Sequence, residues 1–138
     1  MSILDQSLLI RELRVTLGRM ERALEVISDA IVITDAEGLV LWCNEPFCRQ
    51  TKVGSRLEVL GQPILPLLKR TIDPEGKLPK DLIEQARRLE GQMLLRQSSE
   101  PLQVVQLEWS PVRTELPHPL VFVSRNVSPL LAGNPVPV

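Results

Sequence analysis

The sequence predicts one α+β domain, with strands toward both ends of the chain and short helices between them. Three observations carry this expectation. Two short apolar runs, residues 30–35 and 39–43, flank the turn-forming Asp35-Ala36-Glu37-Gly38. The stretch 52–79 is punctuated by Gly54, Gly61, Pro63, Pro66, Pro74 and Gly76, and residues 92–126 hold three further runs of strand character.

The first element is a helix over residues 1–27. Ser2 and Asp5 have capping-box spacing, and Ile3, Ile10, Leu13, Leu17, Met20, Leu24 and Ile27 recur at alternating three- and four-residue steps, interrupted by Gln6. This is a heptad seam, wider near its start where Leu8 and Leu9 join it. It suits a parallel coiled coil with a second copy, packing on the domain's own sheet, or both in succession. Gly18, on the outer side, costs about 1 kcal/mol relative to Ala. Seven large apolar side chains, each contributing about 1.5–3 kcal/mol when buried, outweigh it.

The runs 30–35 and 39–43 form a β-hairpin across the Asp35–Gly38 turn. Asn44 then ends the second strand and is suited to cap a helix over 45–51, with Pro46 tolerated in its first turn. Residues 52–79 should hold only short helical turns and loops, including a turn at Asp73-Pro74-Glu75-Gly76. Leu82, Ile83, Ala86 and Leu89 share one face of a helix over 80–90, which Gly91 stops. Strands follow at 92–97, 102–112 and 120–126. In the middle one Val105, Leu107 and Trp109 alternate with Gln106, Glu108 and Ser110. Leu120, Val121, Phe122 and Val123 are apolar on both faces, so the outer side of the sheet should also be covered, by the N-terminal helix or a second copy. Residues 129–138 carry three prolines and no charge, and read as a linker or frayed end.

With 43% hydrophobic and 24% charged residues, the chain has enough apolar surface for a core. Sixteen basic against seventeen acidic residues leave a net charge of −1 without a Lys/Arg cluster, which argues against nucleic acid as a partner. The apolar runs fall short of the roughly 18–20 residues of a membrane span, and the N-terminus lacks the order of a secretion signal. A cytoplasmic location without direct membrane contact is expected. Cys43 and Cys48 match neither a redox CxxC pair nor a zinc spacing, and read as buried thiols.

The order of parts resembles a PAS sensor domain over residues 28–128. The resemblance lies in Ser28-Asp29-Ala30 before an apolar strand, the Asp35–Gly38 turn, Asn44 and Phe47 in the place of the family's Asn-Pro-Ala-Phe step, and Glu58 with Leu60-Gly61 in that of Glu-Leu-Leu-Gly. It implies the PAS fold: a five-stranded antiparallel sheet with flanking helices that enclose a small cavity. Gly54 falls about two residues later than the family pattern. The segment Ser124-Arg125-Asn126-Val127-Ser128 is similar to the family's Arg-Asp-Ile-Thr exit, with Asn126 and Ser128 in place of Asp and Thr. Asn offers a neutral hydrogen bond, about half as strong as a charged one, where the family has a carboxylate. Pro129 disfavours an uninterrupted helical exit, so the N-terminal coiled coil is the better candidate for coupling to a neighbouring domain.

No catalytic, metal or cofactor residues are expected. His118, between two prolines, is off the helix that carries the haem ligand in haem-binding relatives, and Phe47-Cys48-Arg49-Gln50 has the letters of the flavin-binding relatives' Asn-Cys-Arg-Phe run in another order and place. Trp42 and Trp109 read as core or cavity wall. No GxSxG, Walker A or HExxH motif is present, and Asp35, Glu37, Glu84 and Glu90 read as solvated charges. The resemblance implies a PAS regulatory domain of a multidomain signalling protein, a sensor histidine kinase whose catalytic domain lies outside this chain. It would form a homodimer through Ile3, Ile10, Leu13, Leu17, Met20, Leu24, Ile27, Val121 and Val123, and relay signals to adjacent kinase or sensor domains. Two alternatives stand beside it. One is a metabolite receptor whose ligand cavity is lined by Ile33, Phe47, Val105, Leu107 and Trp109; the other is the input domain of a transcription regulator.

Overall fold

A computed structural model describes residues 29–97, 103–113 and 116–127. Five antiparallel strands form one sheet: β1 (Ala30–Thr34), β2 (Val40–Cys43), β3 (Gly91–Gln97), β4 (Gln103–Pro111) and β5 (Leu120–Asn126). Their spatial order is β2-β1-β5-β4-β3, so the first strand pairs with the last at the centre of the sheet. Helices α1 (Glu45–Thr51), α2 (Ile64–Ile72) and α3 (Leu82–Arg88), with a 3-10 turn at Arg56–Glu58, fill the connection between β2 and β3.

The hairpin forms as its turn residues dictate. The Asp35 carboxylate accepts the amides of Glu37 and Leu39, each at 2.9 Å, and closes the β1–β2 turn. Gly38 sits there at φ +86°, a backbone conformation that favours glycine, and a Cβ on it would lie 2.8 Å from the tip of the Ile83 side chain on α3, which would have to move aside. A register shift between Ile33 and Thr34 breaks the two-residue alternation of β2, leaving Leu41 and Trp42 both exposed.

Helix α1 has the predicted bounds. The Asn44 side chain accepts the Phe47 amide at 3.1 Å as its N-cap. Lys52 closes the other end at φ 59°, and its amide reaches the Arg49 and Cys48 carbonyls. The stretch 52–79 departs from expectation. It contains a nine-residue helix, α2, because Pro63 stands at the N-cap and Pro66 within the first turn, where a missing amide costs nothing. Ile64, Leu67, Leu68 and Ile72 then form one buried stripe. Asp73 ends that helix and, as the turn residues predict, its carboxylate accepts the amides of Lys77 and Leu78 at 2.7 and 2.8 Å.

Alternation along the strands divides the apolar residues into two clusters. The larger one lies between sheet and helices and holds Ala30, Val32, Val40, Phe47, Leu68, Leu82, Leu95, Leu107, Trp109 and Phe122 among others. The smaller lies on the opposite face and consists of Ile33, Val112, Val121 and Val123, with Ile31 against it. The expected burial of both faces of β5 is thereby met: Leu120 and Phe122 point one way, Val121 and Val123 the other, and all four are buried.

Candidate functional site

Of the five residues assigned to a ligand cavity, the fold brings four together. Phe47 on α1 and Leu107, Trp109 and Val105 on β4 share the helix-side cluster. Ile33 is a correction: it belongs to the cluster on the other face. β1 is a central strand covered on both sides, so both parities are apolar and the two-residue period could not tell its faces apart. Trp109 is core, and a Cβ on the opposing Gly91 would lie 2.7 Å from its ring, so a side chain at position 91 would crowd the indole. Trp42 is surface instead, with the Arg56 guanidinium 5.8 Å from its ring centroid.

One polar pair enters the helix-side cluster. The Ser124 hydroxyl on β5 donates to Gln50 Oε1 on α1 at 2.9 Å. The Gln50 Nε2 is buried without a hydrogen-bond partner. Gln50 follows Phe47 by three positions and so shares its inward helix face, a signal that was present in the sequence.

The Asn44 side chain does more than cap α1. Its oxygen also accepts the Ile31 amide at 2.9 Å, and its nitrogen donates to the Asp29 carbonyl at 2.9 Å. The strand-to-helix junction is thus tied to the start of β1. Asp29 itself is buried, and its carboxylate accepts from Arg125 Nε at 3.1 Å. Arg125 lies near the end of β5, with Glu108 of β4 a further 3.9 Å from its guanidinium. Burial pushes the Asp29 carboxyl above its ordinary value, against the opposing pull of Arg125. Nothing local in the sequence joins the two residues, since the contact needs β1 beside β5 across 96 positions. Asn126, where the family carries a charge, donates to Gln103 at 2.7 Å and so ties the end of β5 to the start of β4.

The heptad residues Ile3, Ile10, Leu13, Leu17, Met20, Leu24 and Ile27 lie outside the described residues. Val121 and Val123, assigned with them to a dimer contact, are buried within the single chain at 0% and 1% exposure, so they offer no free surface. Cys43 and Cys48 are both free and buried, as expected, with their sulfurs 3.7 Å apart. His118 lies in the β4–β5 connection with its Nδ1 buried and without a partner. Among the described residues no group of three or more His, Cys, Asp or Glu could hold a metal, and no helix is long and apolar enough to cross a membrane.

Comparison with known proteins gives the following. The family model of the PAS fold matches residues 18–124. No curated protein matches the sequence. Among solved structures, the chain is similar to the PAS domain of an HTR-like protein from Haloarcula marismortui, at 18% identity and TM-score 0.52, covering 82% of this chain and 98% of that one. It is similar to a sensory box sensor histidine kinase from Vibrio cholerae, at 18% identity and TM-score 0.53, covering 88% and 97%. It also resembles a PAS domain from a two-component sensor histidine kinase, at 16% identity and TM-score 0.51, covering 82% and 97%. At these identities the likeness establishes the fold.

Proposed function

The chain belongs to the PAS family, and from that premise we propose that it is a regulatory domain of a multidomain signalling protein, a sensor histidine kinase, acting as a dimerising relay. The observation that carries this reading is the buried Asp29–Arg125 ion pair. Asp29 stands two positions after Ile27, the last heptad residue, and Arg125 is the penultimate residue of the last strand. A change in the packing of residues 1–27 would pull on Asp29 and through it on the exit of β5. A signal that favours one packing by about 5.5 kcal/mol would convert the population almost completely. The partners are a second copy and adjacent kinase or sensor domains, and the setting is cytoplasmic. The test is solution mass by light scattering over a concentration series, for this chain and for one lacking residues 1–27. A dimer that becomes a monomer on truncation supports the relay. A monomer in both cases overturns dimerisation.

A second reading, a small-molecule receptor, is supported by Gln50. Its buried Nε2 offers two unused N–H donors beside Phe47 and β5, suited to an acceptor such as a carbonyl on an otherwise apolar ligand. Under this reading Gln50→Leu abolishes the thermal shift given by such a ligand, whereas triple alanine replacement of Leu13, Leu17 and Met20 leaves it intact. A shift that survives Gln50→Leu counts against this site.

A further inference from the structure

The two cysteines join different elements at one point. Cys43 is the last residue of β2, held in the sheet opposite Val32, and Cys48 lies one turn into α1. Between them stands Asn44, whose side chain holds both the first turn of α1 and the start of β1. Both sulfurs face the same buried space at 3.7 Å, 0% and 4% exposed, with no other residue between them in the hydrogen-bond network.

We propose that Cys43 and Cys48 form a reversible oxidation site, a dithiol–disulfide pair that locks α1 onto the end of β2. The oxidant is a low-molecular-weight disulfide of the glutathione type. When α1 lifts from the sheet, Cys48 loses its proton to solvent and its thiolate attacks one sulfur of the oxidant. A mixed disulfide forms, and the first glutathione leaves as a thiolate that takes up a proton. Cys43 then loses its proton and attacks the Cys48 sulfur, the mixed bond breaks, and the second glutathione leaves in the same way. Two protein thiols are oxidised and one glutathione disulfide is reduced to two thiols.

Cys48 reacts first because it rides on a seven-residue helix, whereas Cys43 is fixed in a strand. Burial, followed by its contact with Cys48, pushes the Cys43 thiol up to about 12, which keeps the pair reduced while α1 is docked. Oxidation therefore requires opening of the junction and, once complete, prevents it. The lock would act on the same Asn44 junction that adjoins Asp29, and so on the coupling between the two ends of the sheet.

The test equilibrates the full 138-residue chain in glutathione buffers of graded oxidised-to-reduced ratio, then alkylates free thiols and measures intact mass. The expected result is a single transition in which both thiols are lost together, the chain becomes lighter by two hydrogens, and far-ultraviolet dichroism is unchanged. Hydrogen exchange of the α1 amides then slows in the oxidised form. Cys43→Ser should yield only a glutathione adduct on Cys48. Three results would overturn the proposal: both thiols remaining alkylatable at the most oxidising ratio, glutathione adducts accumulating on the unaltered chain, or a disulfide between chains.

Discussion

The two faces of the sheet are stabilised by different means. On the helix side, Phe47, Leu107, Trp109 and Phe122 pack in a continuous apolar mass, and the Gln50–Ser124 pair is a polar intrusion. On the other side, a short stripe of Ile31, Ile33, Val121 and Val123 adjoins Asp29, Arg125 and Glu108. Apolar packing is graded and non-directional: losing part of it costs stability in proportion to what is lost. A buried ion pair behaves otherwise. It contributes little net energy, yet removing one member leaves a charge without compensation. The helix side thus holds the fold up, while the opposite side fixes the position of the chain's entry against its exit.

The strongest way to break this comparison is on the apolar side. Phe47→Ala should cost about 4 kcal/mol in urea unfolding at neutral pH, because a fully buried aromatic side chain leaves a cavity between α1 and the sheet. A loss under about 1 kcal/mol would mean that α1 is not part of the cooperative core.

Arg125→Met should come next, at about 3 kcal/mol, and it differs in pH dependence. The Asp29 carboxyl is already raised by burial, and without Arg125 it rises further. A raised carboxyl favours folding in its protonated form. The stability it contributes is fully present below the unfolded value of 3.8 and is lost as pH rises through the folded value. The deficit of the variant should accordingly be largest at neutral pH and shrink on acidification, and adding Asp29→Asn should restore part of it. A deficit constant with pH would show that Arg125 acts through packing of its stem alone.

Gly91→Ala probes the apolar side from another direction. Its new methyl group would stand 2.7 Å from the Trp109 ring, and overpacking of this kind costs about 2 kcal/mol. The tryptophan emission should shift as the indole is displaced. An unchanged spectrum with unchanged stability would indicate that β3 retreats freely from β4.

What the sequence disclosed follows the same division. Local chemistry was legible: the Asp35 turn, the Asn44 cap, the bounds of α1 and the alternation of Leu107 and Trp109 with Glu108 in β4 each depend on neighbours within a few positions, although Ser110, expected on the polar side, is buried. Helix α2 is hidden in the sequence because prolines ordinarily break helices, whereas Pro63 and Pro66 occupy the start of this one, where they are harmless. The face of Ile33 is not legible in the sequence because a strand covered on both sides has no polar parity to mark its orientation. The Asp29–Arg125 pair was out of reach for a different reason. Nothing near either residue signals the other, and only the pairing of the first strand with the last brings them together.

The smallest effect tests whether the outer charges act as a triad or as a pair with a bystander. Glu108 is 3.9 Å from Arg125, beyond hydrogen-bond range, whereas Asp29 is at 3.1 Å and more deeply buried. Glu108→Gln keeps the shape and removes the charge. If the pair is the unit, the change should cost less than about 1 kcal/mol, within the range of weakly coupled ions. It should also leave the pH dependence of the protein unaltered, since Arg125 still faces Asp29. If instead the guanidinium is shared between the two carboxylates, removing one frees it for the other. The Asp29 carboxyl would then fall and stability at acid pH would drop relative to neutral. The sign of that change separates the two arrangements even where its size is small.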